Sequence, residues 1–135
     1  MQLITQVLLS ARALVYEPVN WKKGYSTFAR YNLYDAICGA VDKEGVPKTI
    51  KEPVLGMISK FVANAISERD NAQQLLDSQD ATDLDYKGWI IAFNDYIGTE
   101  HKDVINLLDD MIKKDETAVK ALDPKKRTNI TKKNK

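Results

Sequence analysis

The chain has 135 residues, 44% hydrophobic and 29% charged, with 20 Lys/Arg against 19 Asp/Glu and a single cysteine. That length suits one domain with a continuous core, and one cysteine excludes an internal disulfide and fits a reducing compartment. No apolar run approaches the roughly 20 residues that span a bilayer, and the N-terminus lacks a basic segment followed by an apolar block, so a cytoplasmic protein with no membrane attachment is expected.

The net charge of +1 conceals an asymmetry. Residues 125–135 hold six basic residues (Lys125, Lys126, Arg127, Lys132, Lys133, Lys135) and no acid, which leaves 14 basic against 19 acidic residues over 1–124, a formal −5. A nucleic-acid-binding fold usually carries its basic face on the folded body, so this distribution does not resemble one.

In chain order, Leu3, Ile4, Val7, Leu8, Ala11, Leu14 and Val15 fall at helical spacing, and Pro18 ends that stripe. Residues 19–30 lose the period. Gly24 and Ser26-Thr27 punctuate them, and Trp21, Tyr25 and Phe28 have few neighbours to pack on, so an irregular or short hairpin segment is expected. A loop tryptophan either docks on the core with its N–H on a partner or stacks a ligand.

A second helix is expected over 32–43, with Leu33, Tyr34, Ile37, Cys38 and Val41 as its apolar face. Gly39-Ala40 would permit close approach of another backbone, and Gly45 and Pro47 mark the end. In the third helix, Thr49 and Glu52 have capping-box spacing and Pro53 suits a first turn. Val54, Met57, Ile58, Phe61, Val62, Ala65 and Ile66 form its stripe. A short helix is expected around Leu75-Leu76. Tyr86, Trp89, Ile90 and Phe93 favour a helix over 84–93, with a buried strand as the alternative. The last strong helix is expected over 100–114, with Thr99 as N-cap and Val104, Ile105, Leu108, Met111 and Ile112 as its stripe. Residues 115–122 extend it by a turn or two. The fold class is therefore mainly α, a compact bundle of about five helices over 1–122, followed by a basic, disordered tail at 123–135.

The residues able to carry chemistry are few. Cys38, His101, Asn94 and Asp95 have the types of a nucleophile, a base and its orienter, as in thiol hydrolases and transferases. Cys38 nevertheless sits on an apolar helix face, where cysteines act as small hydrophobes, and Asn94-Asp95 and His101 serve equally well as a joint between helices. No metal or cofactor is expected. One His and one Cys cannot build a zinc site, Asp109 and Asp110 diverge on their helix, and no phosphate-binding glycine loop is present.

The motif order resembles a family of small bacterial and phage proteins known only as a domain of unknown function. The stretches that carry the resemblance are WKKGYSTFA (21–29), AICGAV (36–41) and FNDYIGTEHKDVINLLDDMI (93–112), within roughly residues 3–113. They match a Trp-x-x-Gly segment, a Cys-Gly-Ala run and a (Trp/Phe)-Asn-Asp motif leading to His-x-x-Val. Phe93 stands where that family often has Trp. The resemblance marks Trp21, Gly24, Cys38, Gly39, Ala40, Asn94, Asp95 and His101. It names no activity and implies a bacterial or phage source.

The leading expectation is a non-catalytic accessory protein that contacts a host protein in the host cytoplasm, for instance to inhibit a bacterial defence system. Its expected surface comprises Trp21, Tyr25, Asn94, Asp95, His101 and the acidic residues Asp77, Asp80, Asp83 and Asp85. The alternatives are a thiol enzyme using Cys38 and His101, and a nucleic-acid accessory protein using the Lys-rich tail.

Overall fold

The computed structural model describes residues 3–77 and 85–122. Asp80, Asp83 and the basic tail lie outside the described residues. Six α-helices follow one another: α1 (Leu3–Leu14), α2 (Leu33–Lys43), α3 (Lys48–Ser67), α4 (Ala72–Asp77), α5 (Tyr86–Asp95) and α6 (His101–Leu122). A short 3₁₀ turn at Pro18–Asn20 follows α1. Among the described residues no helix is long and apolar enough to cross a membrane.

One apolar core receives side chains from every helix. Val7, Leu8 and Ala11 come from α1, Ile37 and Val41 from α2, Ile58 and Ile66 from α3, Leu75 from α4, Ile90 and Phe93 from α5, and Val104 and Leu108 from α6. Each large side chain buried this way contributes about 1.5–3 kcal/mol. Helix α2 packs on α1, α3 and α5. Helix α6 lies against α1 and α3, and α5 runs along α3. The stripe at 86, 89, 90 and 93 is helical, with Ile90 and Phe93 buried, Trp89 half-buried and Tyr86 exposed.

The helix ends explain the register. Asn32 caps α2, its Oδ1 accepting from the Asp35 N–H at 2.8 Å. At the other end Gly45 turns at φ +71°, a conformation that costs glycine little. The N–H groups of Glu44, Gly45 and Val46 then take the carbonyls of Ala40, Asp42 and Val41. Gly39 faces Leu14, whose Cδ1 would lie 3.3 Å from an added Cβ, so the expected close approach is between α2 and the end of α1.

Four local expectations need correction. Helix α3 starts at Lys48 with Pro47 as its cap, so Thr49 and Glu52 form no capping box and Pro53 falls inside the helix. The helix extends upstream because the Ile50 N–H reaches the Pro47 carbonyl at 3.0 Å and closes an earlier turn. Met57 is 59% exposed and Leu3 is 39% exposed. Both sit at the margin of their stripes, where the helix turns away from its neighbours. Helix α6 is capped at Glu100 rather than Thr99. The Glu100 carbonyl accepts from the Asp103 N–H at 2.9 Å, and the Asp103 carboxylate accepts from the Glu100 N–H at 2.8 Å.

Residues 21–31 form an irregular loop without a named strand, with a parallel bridge between Trp21 and Tyr31 at its base and an antiparallel one between Thr27 and Arg30 at its tip. Lys22 N–H donates to the Tyr31 carbonyl at 3.1 Å, and Tyr31 N–H to the Asn20 carbonyl at 2.8 Å. At the tip Thr27 and Arg30 exchange two backbone hydrogen bonds of 2.9 and 3.0 Å around Phe28-Ala29. Ala29 has φ +62°, the only positive φ outside glycine among the described residues. A β-carbon in that conformation costs about 1–2 kcal/mol, part of which glycine would give back through its freer unfolded chain. Ala29→Gly is therefore expected to raise the unfolding free energy by about 0.5–1 kcal/mol, read as a higher urea midpoint at unchanged m-value.

Candidate functional site

The Asn-Asp pair at the end of α5 organises one end of the molecule. Asn94 is 1% exposed, yet its side-chain amide is fully hydrogen-bonded. Its Oδ1 accepts from the Trp21 indole N–H at 2.7 Å and from the Leu33 backbone N–H at 2.9 Å. Its Nδ2 donates to the Lys22 carbonyl at 3.2 Å and to Asp95 Oδ1 at 2.9 Å. Two acceptor sites and two donor hydrogens are all that an asparagine side chain has. Asp95 Oδ1 also accepts from the Gly24 N–H at 2.8 Å. Trp21 thus meets Asn94 and Gly24 meets Asp95, so the Trp-x-x-Gly and Asn-Asp motifs dock residue against residue. Gly24 does so at φ +74°, which suits a glycine.

Further side-chain hydrogen bonds tie the loop to the start of α2. Asn32 Nδ2 donates to the Gly24 carbonyl at 2.9 Å, and Ser26 Oγ donates to Asp35 and accepts from the Asn32 N–H. Lys23 Nζ donates to the Tyr96 carbonyl at 2.5 Å. His101 opens α6, and its Nε2 lies 2.7 Å from the Val15 carbonyl. A carbonyl only accepts, so this contact requires the proton on Nε2 and closes the C-terminal end of α1. The His101 ring also meets Trp21 with centroids 6.2 Å apart, tilted by 54°.

Cys38 stands elsewhere. It is half-buried on α2, with Tyr34, Asp35, Lys87 and Asp42 as its electrostatic neighbours. Burial pushes the thiol up. The Tyr34 hydroxyl and the Lys87 ammonium offset this only in part, and Asp35 and Asp42 add to it. Tyr34 is pushed up to about 12, by burial first and by Cys38 next. Among the described residues no hydrogen bond joins Cys38 to His101. The thiol and the imidazole therefore do not form a nucleophile–base pair here, and Asn94 orients Trp21 rather than His101.

Of the expected acidic surface, Asp85 caps α5 by accepting from the Gly88 N–H at 2.7 Å, and Asp77 is exposed and accepts from Gln73. Sequence reasoning placed no role on Asn32 or Lys23. Asn32 was open to recognition as a good N-cap letter just before an apolar stripe.

Beside the Asn-Asp pair lies a cleft of about 320 Å³ lined by Gly24, Tyr25, Asn32, Ile91, Asn94 and Asp95. Several large apolar side chains of the 19–31 and 95–98 segments are exposed. Tyr25 is 92% exposed, Phe28 98%, Ile97 92% and Val19 70%. The chain matches no family model, and no curated protein or solved structure matches it.

Two expectations follow. Asn94→Ala orphans the Trp21 and Leu33 N–H groups at about 1–3 kcal/mol each, so a loss of about 3 kcal/mol in urea unfolding is expected, with a red-shifted Trp21 emission. Cys38 and Tyr34 hold their protons more tightly in the folded chain than at their ordinary values of 9.0 and 10.0. Their contribution to stability is complete below the unfolded pKa values and is lost as pH rises through the folded ones. The urea midpoint should decline above about pH 9, and decline less in Cys38→Ala.

Proposed function

We propose that this chain is a non-catalytic binding protein that contacts another protein through the end of the bundle built by residues 19–31 and 95–98. The observation that carries this reading is the exposure of Tyr25, Phe28 and Ile97 on segments whose neighbouring backbone is bonded by Asn94 at Lys22, Asp95 at Gly24, Lys23 at Tyr96 and the Thr27–Arg30 pair. Large apolar side chains are normally withdrawn from water, and an exposed apolar group on a rigid support is typical of a contact surface. The resemblance to phage proteins makes a bacterial host protein the partner class to test first, components of antiviral defence among them.

The residues with catalytic letters support the same reading. The Asn94 amide is saturated by the chain itself, His101 Nε2 engages the Val15 carbonyl, and Cys38 lies apart with its thiol held neutral.

A photo-crosslinking residue at position 28 is expected to join the chain to a discrete protein in a bacterial host lysate. The Tyr25→Ala/Phe28→Ala pair should reduce affinity capture of that protein by about tenfold or more. Its thermal midpoint should stay near the parent value, because both side chains are exposed. Undiminished capture by the double variant would sink the reading.

A further inference from the structure

We infer that the cleft beside Tyr25 takes an arginine side chain of the partner protein, with Asp95 as its counter-charge. This rests on the protein-binding role proposed above and specifies the chemistry the partner must present.

The argument begins with the acceptors lining the cleft. Asn94 Oδ1 is spent on Trp21 and Leu33, and the Gly24 carbonyl is engaged by Asn32 Nδ2. Asp95 Oδ1 already holds two donors, from Gly24 and Asn94. Asp95 Oδ2 accepts no hydrogen bond, and Asp95 takes part in no ion pair, among the described residues. Its neighbour Lys23 is directed to the Tyr96 carbonyl instead. Asp95 is also the last residue of α5, where the unpaired helix carbonyls add partial negative charge. The cleft is thus lined by a carboxylate with no ion-pair partner among the described residues, and a cation is the ligand that answers it.

The walls select among cations. Ile91 and Tyr25 are among the lining residues, and the lining is largely apolar. An ammonium is compact and strongly hydrated, and it gains little from such walls. A guanidinium is planar and weakly hydrated, stacks on an aromatic face and donates along its edge to a carboxylate. A volume of about 320 Å³ lies at the small end of ligand pockets, which suits one long side chain. The remaining charge agrees: outside the tail, 14 basic residues face 19 acidic ones, so the body attracts a basic partner at long range.

The test is a titration of the ¹⁵N-labelled full-length chain with the blocked tripeptide Gly-Arg-Gly, followed at the Gly24 amide, the Trp21 indole and the Asn94 side-chain amide. Saturable shifts with a Kd of about 1–10 mM are expected for one side chain alone. The lysine and citrulline tripeptides should bind about fivefold more weakly or worse. Asp95→Asn keeps an oxygen for Gly24 but removes the charge, and it should weaken the arginine peptide about tenfold. Tyr25→Ala, at an exposed position outside the hydrogen-bond network, should also weaken it and serves if Asp95→Asn disturbs the fold. Asp77→Asn should leave the titration unchanged. A flat titration up to about 20 mM, equal shifts from citrulline or lysine, or indifference to both Asp95→Asn and Tyr25→Ala overturns the inference. Partner capture that depends on Phe28 alongside a flat arginine titration would leave the binding role standing and remove only the arginine.

Discussion

The saturated amide of Asn94 is the constraint on which this end of the molecule depends. A buried amide with an unmet donor or acceptor would cost more than it returned. With all four bonds made, it becomes a fixed coordinate from which three segments are measured: the Trp21–Lys22 backbone, the start of α2 at Leu33, and the end of α5. Few side chains can take this place. Aspartate offers acceptors but no donors when ionised, and leucine of similar size offers neither. The network specifies position as well as stability, because every partner must arrive at hydrogen-bond distance simultaneously.

From that coordinate the surrounding polar residues divide the work. Asp95 fixes Gly24, Lys23 spans to Tyr96, and His101 reaches across to the end of α1. Each of these groups satisfies backbone that the turns and helix ends would otherwise leave unpaired. The residue types that suggest catalysis are thus largely consumed by architecture. What the network leaves over is apolar and outward, together with one carboxylate oxygen.

The helices were legible because their periodicity is burial written in sequence. Val7, Leu8 and Ala11, or Ile58, Val62 and Ile66, repeat at the helical period and face one core. Helix starts were less legible. Thr49 and Glu52 carry the letters of a capping box, but the letters fit any helix that begins there, and α3 begins earlier where Pro47 and Ile50 close a turn. The end of α5 was legible only in part. Asn94-Asp95 was expected as a joint, and so it is used. Its burial, however, depends on Trp21 and Leu33, 73 and 61 positions away. No local window contains that information. Cys38 sits on α2 as the spacing implied, but only half-buried, beside Tyr34 one turn earlier on the same helix and Lys87 of α5.

The tip of the 21–31 loop brings these points together energetically. Association is opposed by the freedom that loops and side chains lose when a partner fixes them. Here the backbone around Tyr25 and Phe28 has already lost much of that freedom during folding. Thr27 and Arg30 close the tip, Lys22 and Tyr31 close its base, and Gly24 is held on Asp95. The core offsets that ordering, while the paired Thr27–Arg30 hydrogen bonds enclose Ala29 in its left-handed conformation. A partner that buried Phe28 would therefore meet a surface needing little further ordering, so a larger share of the apolar gain would appear as affinity.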